Sequence, residues 1–570
     1  MDFDALPANA YALMAWGWAR LAPYYDALAA RPLRAENVHE WLADWARLGK
    51  LLDESYWRLW ADTTLDTTSA EAEQRFNDFL ENLQTPAKAA EQTLKHKLLA
   101  SGLQPENFAV PLRNMRVEAE LFHAENLPLL NREQALSADY DRIKSLQTVL
   151  WEGEEKTLVQ LYPLQLHPDR ATREQAWRLT AERQAQDRAA INALWAQFMS
   201  LRGQLAANAG LPDYRAYRWR QLLRLDYTPE DCASFHDAIE QVVVPAAERV
   251  YARKRELLGV DSLRPWDVEA DALGRPALQP FASSDELQDK AAQVFGRIDP
   301  ALGRWFDRMR ADGCLDLDNR KGKMPSAYCA GFFVQKQPFV FMNVVGTHED
   351  LMTLLHECGH AFHVYECAHL PYHQQLEIGT EFHEVASTTL ELLGAPFLAE
   401  AGFYSEADAA RARAQHLETM LCFWPYVAVV DAFQHWAYTH HAAASDPANC
   451  DAKWAELWQR FMRGVDWAGL EEYLADGWRM KLHIHQVPFY YIDYGLAQLG
   501  AAQITMRAQH DPQQTVADYR RALALGGTST LPELYAAAGA RLAFDAATLR
   551  PVVAFMEGVL AELNNFSQNS

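Results

Sequence analysis

Asp350-Leu-Met-Thr-Leu-Leu-His-Glu-Cys-Gly-His-Ala-Phe-His363 is the stretch on which the fold and chemistry of this chain turn. It reads as a helix, and at about 100° per residue His356 and His360 fall within about 40° of one another, one turn apart. Both imidazoles can then reach one metal ion. Glu357 lies about 60° to the other side of His360, where it can act as general base on water at the open metal position, the pattern of a zinc peptidase. Upstream, Thr347-His-Glu-Asp350 has the form of a capping box, with Thr347 as N-cap and Asp350 at the third helical position. Pro371 lies beyond the expected end, so the motif is mid-helix.

Outward from the helix, the segments 326–334 and 338–345 are β-branched and aromatic, and Gln335-Lys-Gln337 joins them, which predicts a small β-hairpin. Its second strand ends two residues before Thr347. A strand in that place can offer backbone N–H and C=O groups to an extended peptide. Elsewhere the period is helical. Only 27 Gly and 26 Pro in 570 residues point to few turns and long elements. From the start to about residue 200, helix follows helix, for example over 71–83 and 173–207. The stretch from Leu263 to Ser284, with Pro265, Pro276 and Pro280, reads as an irregular excursion, and Leu563 to Ser570 as a fraying polar tail. A mainly α fold is expected, and 49% hydrophobic residues suffice for its core.

Composition excludes several classes of function. The net charge of -23 argues against nucleic acid as a partner and gives no hint of a membrane surface. No apolar run approaches the roughly 18–20 residues needed to cross a bilayer. Acids at Asp2 and Asp4 stand where a signal peptide or a mitochondrial presequence needs bases, so a cytoplasmic location is expected. The seven cysteines form no C-x-x-C pair and are odd in number, which fits a reducing compartment. Cys358, about 160° round the helix from His360, reads as a small packing residue and not a ligand.

A catalytic zinc needs a third protein ligand. His363 and Glu366 stand where the metzincin pattern requires Gly and His, which excludes that class. A glutamate on a second helix is the remaining common solution, and Gly379-Thr-Glu-Phe-His-Glu-Val-Ala-Ser-Thr-Thr-Leu-Glu-Leu-Leu-Gly394 supplies Glu381, Glu384 and Glu391. Physics alone barely chooses among them, although a carboxylate one or two turns from the ligand would be placed to accept a histidine's second N–H. Gly359 would let that helix approach closely. Farther on, Lys481-Leu-His-Ile-His-Gln-Val-Pro-Phe-Tyr-Tyr-Ile-Asp-Tyr-Gly495 gathers histidines and tyrosines whose neutral donors suit a developing oxyanion.

These residues resemble the M3 zinc metallopeptidases, and within them the oligoendopeptidase F-like branch. The likeness runs from roughly Ala209 to Gln498. It rests on Ala209-Gly-Leu-Pro-Asp-Tyr-Arg215, Arg264-Pro-Trp-Asp267, Lys321-Gly-Lys-Met-Pro-Ser-Ala-Tyr-Cys329, Pro338-Phe-Val-Phe-Met-Asn343, the motif extended to His363, Glu384-Val-Ala-Ser387 and the His483 to Tyr494 cluster. The resemblance implies a mainly α, neurolysin-like helical clam with a deep channel and a small β-hairpin or sheet beside the zinc. Residues 1–200 would form one wall, 201–563 the catalytic domain and 564–570 the tail. It implies one zinc ion held by His356, His360 and Glu384, with Glu357 as base and then proton donor. His483, Tyr491 and Tyr494 would polarise the scissile carbonyl or position substrate. His363, Glu381, Glu391, Tyr490, Phe341 and Asn343 would back the ligands or touch substrate.

The implied activity is hydrolysis of internal bonds in short unfolded peptides. A dipeptidyl carboxypeptidase of the same chemistry is the alternative, and it would need a cation for the substrate's C-terminal carboxylate. A helical peptide-binding protein without turnover is the alternative of another class. The sequence leaves the cleavage preference and the oligomeric state open.

Overall fold

Apolar residues at three- and four-residue intervals fold most of the chain into helices, as α1 (Val38–Leu65) illustrates by burying Trp41, Trp45, Leu48, Leu52 and Leu59. The computed structural model describes residues 1–569; Ser570, the last residue of the expected tail, lies outside the described residues. The final helix, Ala546–Asn569, continues through most of that tail segment. Helices as far as Met115 build one core, which Tyr372 joins from beyond. A larger core starts at Leu136 and takes in the helices Thr380–Gly394, Glu406–Thr439 and Tyr491–Ala508, while the motif helix His348–Cys367 packs in a third core with Phe295, Phe306 and Val340. Among the described residues, no helix is long and apolar enough to cross a membrane.

The first 200 residues depart from the helical expectation in two places. Strands β1 (Thr148–Trp151) and β2 (Glu154–Thr157) pair antiparallel. Glu152 and Gly153 both take positive φ, 52° and 86°, the conformation a two-residue hairpin turn demands. Four-residue strands are too short for their period to stand out from a helical background. The helix expected over 173–207 is also divided, into Arg170–Gln186 and α2 (Arg188–Asn208). Asp187 between them takes φ -89° and ψ 1°. Its carboxylate accepts from Arg183, one turn back, and from Gln147, a tertiary contact with no local sequence signal.

The expected hairpin is present as β4 (Tyr328–Phe332) and β5 (Gln337–Val344), with Tyr328 opposite Phe341. It is enlarged by β3 (Leu315–Asp318), which pairs parallel to β5 and gives the order β3-β5-β4. α1 grips this sheet. The buried Glu54 accepts from the backbone N–H of Val334 and Gln335 in the β4–β5 turn, and Thr64 bonds the Tyr328 hydroxyl at 2.7 Å.

Three residues after β5, α3 (His348–Cys367) begins. Its capping box is complete. Thr347 Oγ1 accepts from Asp350 N–H, and Asp350 Oδ2 accepts from the backbone of Thr347 and of Val345. The strand and the helix are therefore locked together at one carboxylate, which fixes the entry angle of the motif. α4 (Thr380–Gly394) crosses α3 at Gly359. A Cβ there would lie 2.5 Å from Ser387 Cα and 2.8 Å from the Ala386 carbonyl oxygen, so only glycine permits this approach. Helices α5 (Glu406–Thr439) and α6 (Tyr491–Ala508) complete the surroundings of the site.

Candidate metal centre and active site

His356 and His360 project from one face of α3 with ring centroids 5.0 Å apart. The close crossing brings Glu384 of α4 onto the same spot, its Oε2 3.4 Å from His356 Nε2. The ligand atoms of His356, His360 and Glu384 all lie within 4.8 Å of one another. Two imidazoles and a carboxylate suit zinc. A tetrahedral ion with bonds of about 2.0–2.2 Å separates its ligands by about 3.3–3.5 Å, the spacing that His356 and Glu384 have. His360 Nδ1 is buried without a hydrogen-bond partner.

The carboxylates left open by sequence have different places. Glu391, two turns after Glu384, accepts from His356 Nδ1 at 2.7 Å and leaves Nε2 to face Glu384. Its other oxygen lies 3.2 Å from Nε2 of His416, on α5. Glu381 points elsewhere. It accepts from Tyr227 at 2.7 Å and Arg224 at 3.2 Å, and Arg224 also binds Asp493, which in turn accepts from Thr380 at 2.6 Å. Glu381 thus ties the start of α4 to the start of α6 and touches none of the site histidines.

Electrostatics fit this division. Burial pushes Glu384 upward, yet the contact with His356 and the nearby imidazoles outweigh it and hold the carboxyl at about 2; the same balance, with His356 and His416, holds Glu391 at about 2. Burial alone would lower His356, but the two carboxylates raise it well above the usual range. A positive charge between them is favoured. Burial drives His360 down to about 3, so its ring is neutral, as a ligand must be. Glu357 is 7% exposed, and burial, reinforced by Glu384 and Glu391 against His356, lifts its carboxyl to about 7.

The aromatic cluster reaches the trio through Tyr490, whose hydroxyl donates to Glu384 Oε1 at 2.9 Å. Tyr494 stands 5.3 Å from Tyr490, ring to ring, and His483 4.9 Å from Tyr491. Tyr491 is set deeper, against Phe423 and Tyr426. His363 is buried beside Phe382 and His383, one turn away from the trio. Phe341 lies in the sheet, stacked on Tyr328 and under the Lys323 ammonium. Asn343 donates to the carbonyls of Met324 and Ser326 and pins the loop before β4. His383, 5.7 Å from His360 ring to ring, and His416 are neighbours that sequence reasoning missed. His383 adjoins Glu384 and could have been found by its place on the helix; His416 has no motif around it.

The family model described as peptidase family M3 matches residues 164–553. The chain belongs to peptidase family M3. Over 149 residues it is 26% identical to the group B oligopeptidase PepB of Streptococcus agalactiae serotype III (strain NEM316), a match that spans 26% of this chain and only 24% of that relative. Likeness in structure is much broader. PZ peptidase A, solved with an inhibitor, is 25% identical with a TM-score of 0.87 over 99% of this chain and 100% of its own. A candidate oligoendopeptidase F is 26% identical, with a TM-score of 0.87 over 100% of both chains. The M3 fold thus extends through the first 163 residues, which the family model does not match.

Proposed function

We propose that this M3 chain is a zinc-dependent metalloendopeptidase that hydrolyses internal bonds of short unfolded peptides. The observation that carries the proposal is the convergence of His356, His360 and Glu384, with Glu357 buried beside them, in a chain of this family. When bound, the zinc ion supplies Lewis acidity at the scissile carbonyl and eases deprotonation of water. The Glu357 carboxylate accepts that proton and passes it to the leaving nitrogen, a task suited to a group that titrates near neutrality. Burial lifts the hydroxyls of Tyr490, Tyr491 and Tyr494 far above their usual range and lowers His483 to about 4. All four stay neutral; with the Tyr490 O–H given to Glu384, it is Tyr491, Tyr494 and His483 that offer O–H and N–H donors to the developing oxyanion without adding charge. Glu391 orients His356 through Nδ1. Seven free cysteines support a reducing, cytoplasmic setting.

The test is Glu357→Gln. This variant is expected to keep its metal and lose nearly all turnover, and near wild-type cleavage would reject the assignment. The carboxydipeptidase reading draws on Lys481. Its ammonium lies 4.4 Å from the Tyr491 ring centre with no ion-pair partner among the described residues. A peptide with an amidated C-terminus separates the two: cleavage at internal bonds supports the endopeptidase, and resistance the alternative.

A further inference from the structure

A second group of metal-ligating side chains lies in the core, apart from the trio. Cys232 and His236 are four residues apart on the helix Pro229–Ala238, and Asp431 and His435 four apart on α5. Each pair therefore shares one helix face. The two helices turn these faces to one another, and ligand atoms of Cys232, Asp431 and His435 all lie within 4.8 Å. Cys232 and Asp431 are fully buried.

From this geometry we infer that Cys232, Asp431 and His435 form a second zinc site of three protein ligands, with His236 bonded to Asp431 Oδ2 at 2.8 Å and fixing its orientation. Three features support it. First, a fully buried carboxylate is costly unless its charge is met, and among the described residues the ion-pair partners of Asp431 are two histidines, with no lysine or arginine. Arg224, the nearby cation, is engaged by Glu381 and Asp493. Second, Asp431 Oδ1 has no hydrogen-bond partner among the described residues, nor does either ring nitrogen of His435. Third, His435 Nε2 stands 3.2 Å from Asp431 Oδ2 without hydrogen-bond alignment, close to the ligand-to-ligand spacing His356 and Glu384 show. Sulfur, imidazole and carboxylate together favour zinc over calcium or magnesium. Contraction of about 1 Å would bring all three ligand atoms to tetrahedral spacing, about 3.3–3.8 Å.

The site would brace the catalytic loop. His435 packs edge-on against Phe489 at 5.1 Å, and its neighbour Gln434 accepts from Phe489 N–H at 2.7 Å. Phe489 holds a left-handed backbone, φ 66°, immediately before Tyr490, the donor to Glu384.

Metal analysis and cobalt substitution of the full chain decide the matter. We expect two zinc equivalents per chain, falling to one in Cys232→Ala and, separately, to one in Glu384→Ala. With cobalt, a thiolate-to-metal charge-transfer band in the near ultraviolet should appear in the wild type and in Glu384→Ala but not in Cys232→Ala. The trio at Glu357 contains no sulfur, so this band reports only on the second site. Should Cys232→Ala fail to fold, Asp431→Asn and His435→Gln must each shift or abolish the band. No band with cobalt in the wild type, a band unchanged in these variants, or a single equivalent in the wild type that Cys232→Ala retains would overturn the inference. Loss of the band with intact peptidase activity would leave the proposed function standing, and the reverse holds equally.

Discussion

Replacing Gly359 with alanine tests the link between packing and chemistry. The added Cβ would sit 2.5 Å from Ser387 Cα, 2.8 Å from the Ala386 oxygen and 2.9 Å from Ser387 N. Carbon atoms in contact prefer about 3.5–4.0 Å, so α4 must recede by about 1 Å at the crossing. The obstruction is backbone, and no rotamer change relieves it. Overpacking of this kind costs about 1–3 kcal/mol. Ser387 lies one turn from Glu384, so the same movement takes Glu384 away from His356, now 3.4 Å distant. A displacement of about 1 Å in a reacting group can cost about 100-fold in rate. We therefore expect a lower thermal midpoint, metal affinity weakened about 10–100-fold in chelator competition, and a comparable fall in kcat/KM on a quenched peptide. Gly558, in an exposed helical position with nothing within 4 Å of its would-be Cβ, is the control, and Gly558→Ala should be neutral or stabilising. A Gly359→Ala protein with wild-type midpoint and metal affinity would refute the reasoning.

Glu384→Ala should abolish metal binding at the trio, whereas Glu381→Ala should retain it and lose about 1–3 kcal/mol of stability, because the buried Arg224 and Tyr227 lose an acceptor; retained metal in the first variant would reject Glu384 as a ligand. Glu391→Gln should weaken metal affinity about 10–100-fold through a loosened His356, and an unchanged dissociation constant would show that the 2.7 Å contact does not orient the ring. Burial and the charges of Glu54 and Glu91 raise the Asp53 carboxyl from 3.8 to about 7. Between about pH 4 and 7 the folded chain keeps a proton that the unfolded chain has released, so this group's effect on stability worsens as pH rises through that window. Asp53→Asn should raise the thermal midpoint at pH 8 and give a gain that vanishes toward pH 4, and a pH-independent offset would contradict this.

The sequence by itself determined the local elements of the site. The H-E-x-x-H spacing, the Thr347 capping box and the strand leading into it are set by neighbours within a few residues, and α3 and β5 follow them closely. Helical period gave the class of fold, but not the short hairpin at Thr148–Thr157, the parallel strand Leu315–Asp318 or the break at Asp187, each of which depends on few residues or on distant partners. Apart from the resemblance, only tertiary structure distinguished the three glutamates of α4. Glu381, Glu384 and Glu391 are alike in sequence, one or two turns apart, and their roles differ because Gly359 fixes the height and rotation at which α4 crosses α3. That crossing turns Glu384 toward His356 Nε2, Glu391 toward Nδ1, and Glu381 toward Arg224. It likewise brought His416 and Tyr490 to these carboxylates from positions 25 residues or more away in the chain, a distance no local pattern can report.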